Sequence, residues 1–364
     1  MEQTPVQIFH LEERKKRFKN LGFFFKIGLL VLFFSAPLLF PGFKTIDLAV
    51  KIILFGVLVA SFDILLGYTG ILSFGHGMFF GVGAYSVAML MGRYGEPSYL
   101  NMLLGIGIAV VISSVLALFV SFLSLRVKAI FFAMITLALA ELAIVLATKL
   151  SGFTGGEDGI SISMPGIFAV SYEGGKFMGI EITGRLMTYY LLFFSSLVLF
   201  TAMLRFIHSP LGRVLQAIRD NAQRAEALGY KTFIYQMISI TFGCVLAGMI
   251  GGLYAMWVGY VNPESSLAVM AIMLNVLLMV IIGGMGTLYG GIVGAAFILI
   301  TETFLPDMQH LAQKILPDAQ FLHSILDRWL LLFGALFILV VIFFPKGVIG
   351  SAREYMERRR YAKT

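Results

Sequence analysis

The sequence SPLGRVLQAIRDNAQRAEALG, residues 209–229, is a mid-chain helical segment that is too polar to lie within a membrane. Ser209 suits an N-cap, Pro210 suits the first helical position, and Gly229 suits a left-handed residue after the helix. The apolar residues recur at three- and four-residue spacing, which predicts an amphipathic helix; they are Leu211, Val214, Leu215, Ile218, Ala222 and Ala225. Because the sequence on both sides is strongly apolar, we expect this helix to lie outside the bilayer and to face another component.

The composition of the chain is that of a polytopic membrane protein. Of the 364 residues, 59% are hydrophobic and 13% are charged, whereas roughly a quarter of the residues of a soluble domain are charged. The predicted fold is all-α, with about ten transmembrane helices, some of them broken. The apolar segments are residues 21–40, 46–66, 70–91, 101–123, 129–148, 186–204, 233–259, 267–283, 286–305 and 329–344.

The basic residues predict the orientation of these helices. Most of the 27 Lys and Arg residues fall on one side if both termini are cytoplasmic, and such a bias orients helices during insertion. We therefore predict a basic cytoplasmic segment at 1–20, a transmembrane domain at 21–345 and a basic cytoplasmic tail at 346–364. Residues 209–229 are then cytoplasmic, and the acidic loop at 151–184 is external. This bias, with basic tails that contact lipid headgroups, explains the net charge of +7 without a nucleic-acid partner.

The first apolar segment follows a basic run and precedes no clear cleavage site, so we interpret it as a retained anchor.

Sequence motifs of enzymes and metal sites are missing. The chain contains neither a Gly-x-x-x-x-Gly-Lys-[Ser/Thr] phosphate loop nor a Gly-x-Ser-x-Gly nucleophile elbow. Its five His residues lack metal-ligand spacing, and the single cysteine, Cys244, excludes an intramolecular disulfide. We therefore expect no catalytic residue, no metal site and no cofactor bound by this chain.

Residues 67–85 are dense in glycine, which has two interpretations. Glycine lets helices approach closely, and it also lets a helix break so that backbone groups line a polar path. Ser73 and His76 lie in this stretch, and Glu141 lies near the middle of its own apolar segment, where an ionisable group needs a partner or water. For Asp63 and Glu302, which lie nearer segment ends, a structural role is favoured.

The same stretch takes part in a weak internal sequence repeat, referred to below as the internal echo. Gly67-x-x-Gly70-x-Leu72-x-x-Gly75 recurs as Gly283-x-x-Gly286-x-Leu288-x-x-Gly291. In a chain rich in Gly and Leu, a match of this length also arises by chance.

Taken together, several motifs resemble the permease subunits of branched-chain amino-acid ABC importers, and most closely the LivM type. The resemblance spans residues 45–350, and the chain departs from the family pattern at Asp63, where an uncharged polar residue is expected, and at Gly291, where Pro is expected. The motifs are Gly67-Tyr-Thr-Gly-Ile-Leu-Ser-Phe-Gly-His-Gly with Gly83-Ala-Tyr85, Thr136-Leu-Ala-Leu-Ala-Glu141, Thr154-Gly-Gly-Glu-Asp-Gly159, Leu211-Gly-Arg-Val-Leu-Gln-Ala-Ile-Arg-Asp-Asn221 with Ala225-Glu-Ala-Leu-Gly229, Ile282-Gly-Gly-Met-Gly-Thr-Leu-Tyr-Gly290 with Gly294-Ala295, and Phe344-Pro-Lys-Gly-Val348.

The resemblance implies an importer in the cytoplasmic membrane of a bacterium or archaeon. Its partners would be a second homologous permease, two cytoplasmic ATPases that bind ATP and Mg, and an external substrate-binding protein. Residues 209–229 would dock into an ATPase, and the alternative is a helix that lies flat on lipid headgroups. The docking contact is assigned to Leu211, Gly212, Arg213, Ala217, Arg219, Asp220, Ala225, Glu226 and Gly229.

The expected substrate is a branched-chain or other hydrophobic amino acid. A helix break near Gly75 and Gly77 would direct backbone N–H groups toward its carboxylate, and Phe74, Met78 and Phe79 would form an apolar wall. The expected path residues are Ser73, Gly75, His76, Gly77, Thr136 and Glu141. The alternatives are a permease for urea or short amides and, from another class, an ion-coupled carrier or a channel.

Overall fold

The computed structural model describes residues 27–40, 42–127, 129–177, 180–267, 272–315, 328–351 and 354. The predicted N-terminal segment at 1–20 lies outside these residues, as does most of the predicted tail. The chain divides into two units, Met1–Ala49 and Val50–Thr364. The described part of the first unit contains helix α1 (Ile27–Leu39) and the beginning of α2 (Phe43–Asp63).

The second unit is built almost entirely of helices. The end of α2 widens into a π-helix at Ile64–Thr69, and α3 (His76–Ala88) continues into another at Met89–Arg93. The other helices of the described residues are α4 (Tyr99–Ser124), α5 (Ala129–Lys149), α6 (Ser151–Thr154), α7 (Gly184–His208), α8 (Pro210–Asp220), α9 (Ala222–Ala227), α10 (Thr232–Val258), α11 (Pro263–Ser266), α12 (Leu274–Gly283), α13 (Leu288–Ile315) and α14 (Trp329–Phe343).

In the described residues, two small antiparallel sheets accompany the helices. Strand β1 (Ile160–Ser161) pairs with β4 (Tyr260–Val261), so that Ile160 lies opposite Val261. Strands β2 (Glu173–Phe177) and β3 (Ile180–Thr183) form a hairpin. Both sheets involve residues of the predicted external loop at 151–184.

The fold is that of an all-α polytopic membrane protein. In the described part of the chain, seven helices are long and apolar enough to cross a membrane by length and composition. Each of the predicted apolar segments overlaps a described helix, but α1 and α12 are shorter apolar helices and α3 is not among the seven. The number of about ten and the cytoplasmic position of the termini stay predictions. The seven are Phe43–Thr69, Tyr99–Ser124, Ile130–Lys149, Gly184–His208, Thr232–Val258, Leu288–Asp307 and Leu330–Ser351.

Side-chain caps set the beginning of several helices. The Ser98 hydroxyl accepts a hydrogen bond from Leu100 N at the start of α4, and the Thr183 hydroxyl accepts one from Leu186 N at the start of α7. Asn262 Oδ1 accepts one from Ser265 N at the start of α11. Each cap satisfies an amide that has no partner within its own helix.

The core of the second unit lies around α3 and α10, which touch backbone to backbone. A Cβ added at Gly83 would lie 1.7 Å from the carbonyl oxygen of Gly248, and one added at Gly251 would lie 1.8 Å from that of Phe80. Close approach through glycine, one of the two interpretations of residues 67–85, is therefore confirmed for this part of the stretch. Cys244 is buried in the same helix pair, on α10.

Candidate functional site

The polypeptide leaves helical structure between α2 and α3. Gly70 has φ 76° and ends the π-helix, and Ile71 N still bonds to Leu65 O at 2.9 Å. Regular helix resumes at His76 with Gly75 as its N-cap. The sequence predicts a break near Gly75 and Gly77, and the structure contains one that ends there but begins at Gly70.

His76 is held inside the protein at the start of α3. Its Nε2 lies 2.9 Å from Ser61 Oγ, and that hydroxyl donates its proton to Leu58 O at 2.7 Å. Ser61 Oγ must therefore accept a hydrogen bond from Nε2–H, which leaves Nδ1 as the unprotonated nitrogen. No described group bonds to Nδ1, and His76 and Ser73 are both buried.

Thr136, on α5, holds the non-helical segment between α2 and α3 against that helix. Its hydroxyl accepts a hydrogen bond from Phe74 N at 3.1 Å and donates one to Ala133 O at 2.9 Å. A Cβ added at Gly75 would lie 3.1 Å from Thr136 O, so the two chains are in close contact. The structure thus brings Gly75 and Thr136 together, and their role in a path stays a prediction.

Glu141 differs from the other predicted path residues because its side chain is exposed on α5. It continues a line of residues at helical spacing that includes Ile130, Met134 and Leu137. These three residues border an open apolar pocket of about 360 Å³. The full lining is Leu72, Phe74, Ile130, Ala133, Met134 and Leu137. Phe74, which the sequence assigns to an apolar wall, lines this pocket.

The predicted docking helix at 209–229 is two helices rather than one. Asn221 has extended backbone angles (φ −161°, ψ 99°), and its side chain caps α9 by accepting a hydrogen bond from Arg224 N at 2.9 Å. The predicted ends are confirmed: Ser209 Oγ accepts a hydrogen bond from Gly212 N, Pro210 begins α8, and Gly229 has φ 89°.

The apolar side of α8 and α9 packs against the protein itself. Gly212, Leu215, Ile218 and Ala225 are buried, where α8 meets α7, α10 and the π-helical end of α2. A helix that lay flat on lipid would need this face free, so its burial disfavours that alternative. Of the residues predicted to dock, those that are exposed are Arg213, Ala217, Arg219, Asp220, Glu226 and Gly229, with Leu211 half-buried.

Leu228 was missed by the sequence reasoning and is 73% exposed beyond the end of α9. Its side chain adds an apolar group to the exposed surface of α8 and α9. The signal in the sequence was its position three residues after Ala225, which continues the apolar spacing of the segment.

The glycine-rich sequence at 154–159 forms a fixed connection after α5. The Thr154 hydroxyl lies within hydrogen-bonding distance of both Ala147 O and Leu150 O, and Tyr260 OH donates a hydrogen bond to Asp158 O at 2.8 Å. Together with the pairing of β1 and β4, these bonds attach the end of α5 to the end of α10. Among the described residues, no group of three or more His, Cys, Asp or Glu side chains is placed to hold a metal ion.

Comparison with known proteins identifies the class. The family model described as "Branched-chain amino acid transport system / permease component" matches residues 45–341. The chain belongs to this family, which is the permease component of a transport system and not an enzyme family.

Three relatives are permeases named LivM. The chain is 26% identical over 352 residues to the high-affinity branched-chain amino acid transport system permease protein LivM of Escherichia coli, covering 93% of this chain and 77% of the relative. The LivM protein of Salmonella typhimurium is 26% identical over 92% of this chain and 76% of its own length. A probable LivM of Methanocaldococcus jannaschii is 26% identical over 84% of this chain and 94% of its own length. No solved structure matches the chain significantly.

Proposed function

We propose that this chain is the membrane-spanning permease subunit of an ATP-binding-cassette importer for branched-chain or other hydrophobic amino acids, and that the exposed face of α5 lines the translocation path. The family and the names of the LivM relatives support the class of transporter. The position of Glu141 supports the path.

Glu141 cannot face lipid at low cost. It lies near the middle of α5, a helix long and apolar enough to span a membrane, and its side chain is exposed in the single chain. A carboxylate at the centre of a transmembrane helix costs roughly 3 kcal/mol against lipid even on the lower scales. The exposed face of α5 therefore borders a second protein chain or a water-filled path. An interface with a second, homologous permease that encloses the path satisfies both conditions.

The same face suits a zwitterion with an apolar side chain. The Glu141 carboxylate would pair with the substrate ammonium group, and the apolar pocket beside Phe74 and Leu137 would accept the aliphatic side chain. Residues four apart on a helix lie on one face, so Leu137 brings the pocket and the carboxylate within one helical turn. The buried residues Ser73, Gly75, His76, Gly77 and Thr136 would support this face by holding the break in place.

The remaining partners are assigned to the two ends of the helices. The exposed surface of α8 and α9 would dock onto one of two cytoplasmic ATPases, which bind ATP and Mg. The acidic loop at 151–184, with its β2–β3 hairpin, would face an external substrate-binding protein. The complex would lie in the cytoplasmic membrane of a bacterium or archaeon.

The test is uptake of labelled leucine and labelled urea by vesicles that contain the complete transporter. We expect leucine uptake, and we expect Glu141→Gln to reduce it about tenfold or more, since one charge-assisted contact is worth 1.5–3 kcal/mol. Glu96→Gln is the matched control, because Glu96 is an exposed acid in the connection between α3 and α4.

Three outcomes would contradict the proposal. Urea uptake without leucine uptake would overturn the substrate, because a neutral solute needs no charge partner at Glu141. Full leucine uptake in Glu141→Gln would overturn the path. Transport by the chain alone, without ATPase subunits, would identify an ion-coupled carrier or a channel.

A further inference from the structure

Two glycine turns meet beside the end of α8. The first, at Gly67 and Gly70, ends α2, and the second, at Gly284 and Gly286, joins α12 to α13. Gly286 N lies so near the first turn that a Cβ added at Gly67 would be 2.3 Å from it. The ends of α2 and α12 and the segment that begins α13 are therefore connected through one small contact.

The Arg219 side chain, from α8, lies against both turns. Its Nη1 donates a hydrogen bond to Gly67 O, and a Cβ added at Gly70 would lie 2.9 Å from Arg219 Cγ. A Cβ added at Gly286 would lie 3.6 Å from Nη1. Arg219 also donates to Asp220 Oδ1 from Nε and Nη2, so its orientation is fixed from its own helix.

The Asp63 side chain contacts the second of these turns. Its side chain is buried, and Oδ1 accepts a hydrogen bond from Gly286 N at 2.8 Å. No described group bonds to Oδ2. A Cβ added at Gly67 would lie 2.1 Å from Asp63 Oδ1, so the Asp63 side chain lies between the same two turns that Arg219 contacts.

We propose that Arg219 is a positioning residue that, together with Asp63, fastens α8 to both glycine turns, so that a displacement of α8 reaches both helix breaks at the same time. This inference rests on the proposed function, in which α8 receives its displacement from an ATPase. Arginine suits the role because its planar fork can bond to Gly67 O and Asp220 together, which the single ammonium of lysine cannot reproduce.

The role differs from the docking contact that the sequence assigns to Arg219. A docking residue would place its charged group toward the ATPase, whereas the Arg219 guanidinium bonds to a backbone carbonyl of α2. Loss of Arg219 should therefore leave ATPase binding intact and disconnect hydrolysis from transport.

The test uses the complete transporter, with leucine uptake and ATP hydrolysis measured together. We expect Arg219→Ala to lower the number of leucine molecules imported per ATP about tenfold, while the ATPases still copurify. Arg219→Lys should be intermediate because it keeps the charge and loses the fork. Arg205→Ala, an exposed cation near the end of α7, is the control and should match the wild type.

A second measurement is independent of transport and substrate. Arg219→Ala, Asp63→Asn and the double variant are compared by thermal unfolding of the purified permease; Asp63→Asn keeps the acceptor for Gly286 N and removes the charge. If Arg219 and Asp63 act as a unit, the double variant should be less destabilised than the sum of the single variants.

Additive losses of stability would overturn the link between Arg219 and Asp63. Unchanged import per ATP in Arg219→Ala, or loss of the ATPases from the purified complex, would overturn its positioning role. Failure of the wild type to import leucine would contradict the proposed substrate, and the unfolding comparison would still test the link.

Discussion

Gly83 allows α3 and α10 to pack with their backbones in contact, and Gly83→Ala is expected to separate them. Without any movement of the helices, the added Cβ would lie 1.7 Å from Gly248 O. A real Cβ does not approach another heavy atom within 3.0 Å. The atom it meets is backbone, so no side-chain rotation relieves the clash. The helices must therefore move apart by at least the difference, 1.3 Å.

The cost of that movement extends beyond the substituted residue. The carbonyl of Phe80 contacts Gly251 one turn away, so both contacts open together. A radial gap of 0.5–1 Å already forfeits a quarter to a half of the dispersion energy of a contact. We expect a destabilisation of roughly 3 kcal/mol, the upper end of the usual range for overpacking.

The assay is thermal unfolding of the purified protein in detergent, monitored by the monomer that survives heating. Gly107→Ala is the matched control, because a Cβ added at Gly107, on the exposed side of α4, meets nothing within 4 Å. Alanine at that position should be neutral or stabilising by up to about 1 kcal/mol. Equal unfolding midpoints for the two variants would refute the reasoning.

Two further predictions concern the segments that would contact other proteins. Asn221→Ala should destabilise α9 by about 1 kcal/mol, because it removes the cap on Arg224 N; faster amide hydrogen exchange in α9 but not in α8 would show this, and equal protection would contradict it. Deletion of residues 172–176, which include most of β2, should raise the concentration of loaded binding protein needed for half-maximal uptake while subunit assembly is kept. Unchanged uptake would count against a role of the hairpin in delivery.

The ends of the docking segment could be predicted from sequence, but its interruption could not. Ser209, Pro210 and Gly229 carry strong local preferences that tertiary structure did not override. Asn221 is also a favoured N-cap. The apolar spacing continues through it to Ala225, however, and this periodicity outweighed the local signal.

Residues 67–85 show why a glycine-rich stretch resists prediction. The break at Gly70 and the tight packing at Gly83 both require glycine, but for different reasons. Gly70 needs a left-handed backbone conformation, and Gly83 needs the absence of a Cβ atom. Only the neighbours distinguish them, and the neighbour of Gly83 is Gly248, far away in sequence.

The exposed face of α5 could not be predicted for a related reason. The helix is apolar on all sides, so no periodicity separates the face that packs around Thr136 from the face that carries Glu141. A membrane-spanning helix buries its apolar side chains equally well against lipid and protein. The position of Glu141 along α5 predicts that it lies at membrane depth. The direction of its side chain, however, depends on how α5 packs against the segment between α2 and α3.

The internal echo gains a physical explanation from the structure. Gly70 and Gly286 are equivalent in it, and their φ angles are 76° and 78°, a conformation that glycine adopts without strain. Gly75 and Gly291 are also equivalent, and a Cβ added at either would lie 3.1 Å or 3.0 Å from the backbone of a neighbouring helix. Gly67 and Gly283 both touch backbone, at Gly286 N and Gly290 O. A chance match of letters would not place the same constraint at all three pairs of glycines, so we interpret the two segments as equivalent helix-breaking turns, which meet where Arg219 contacts them both.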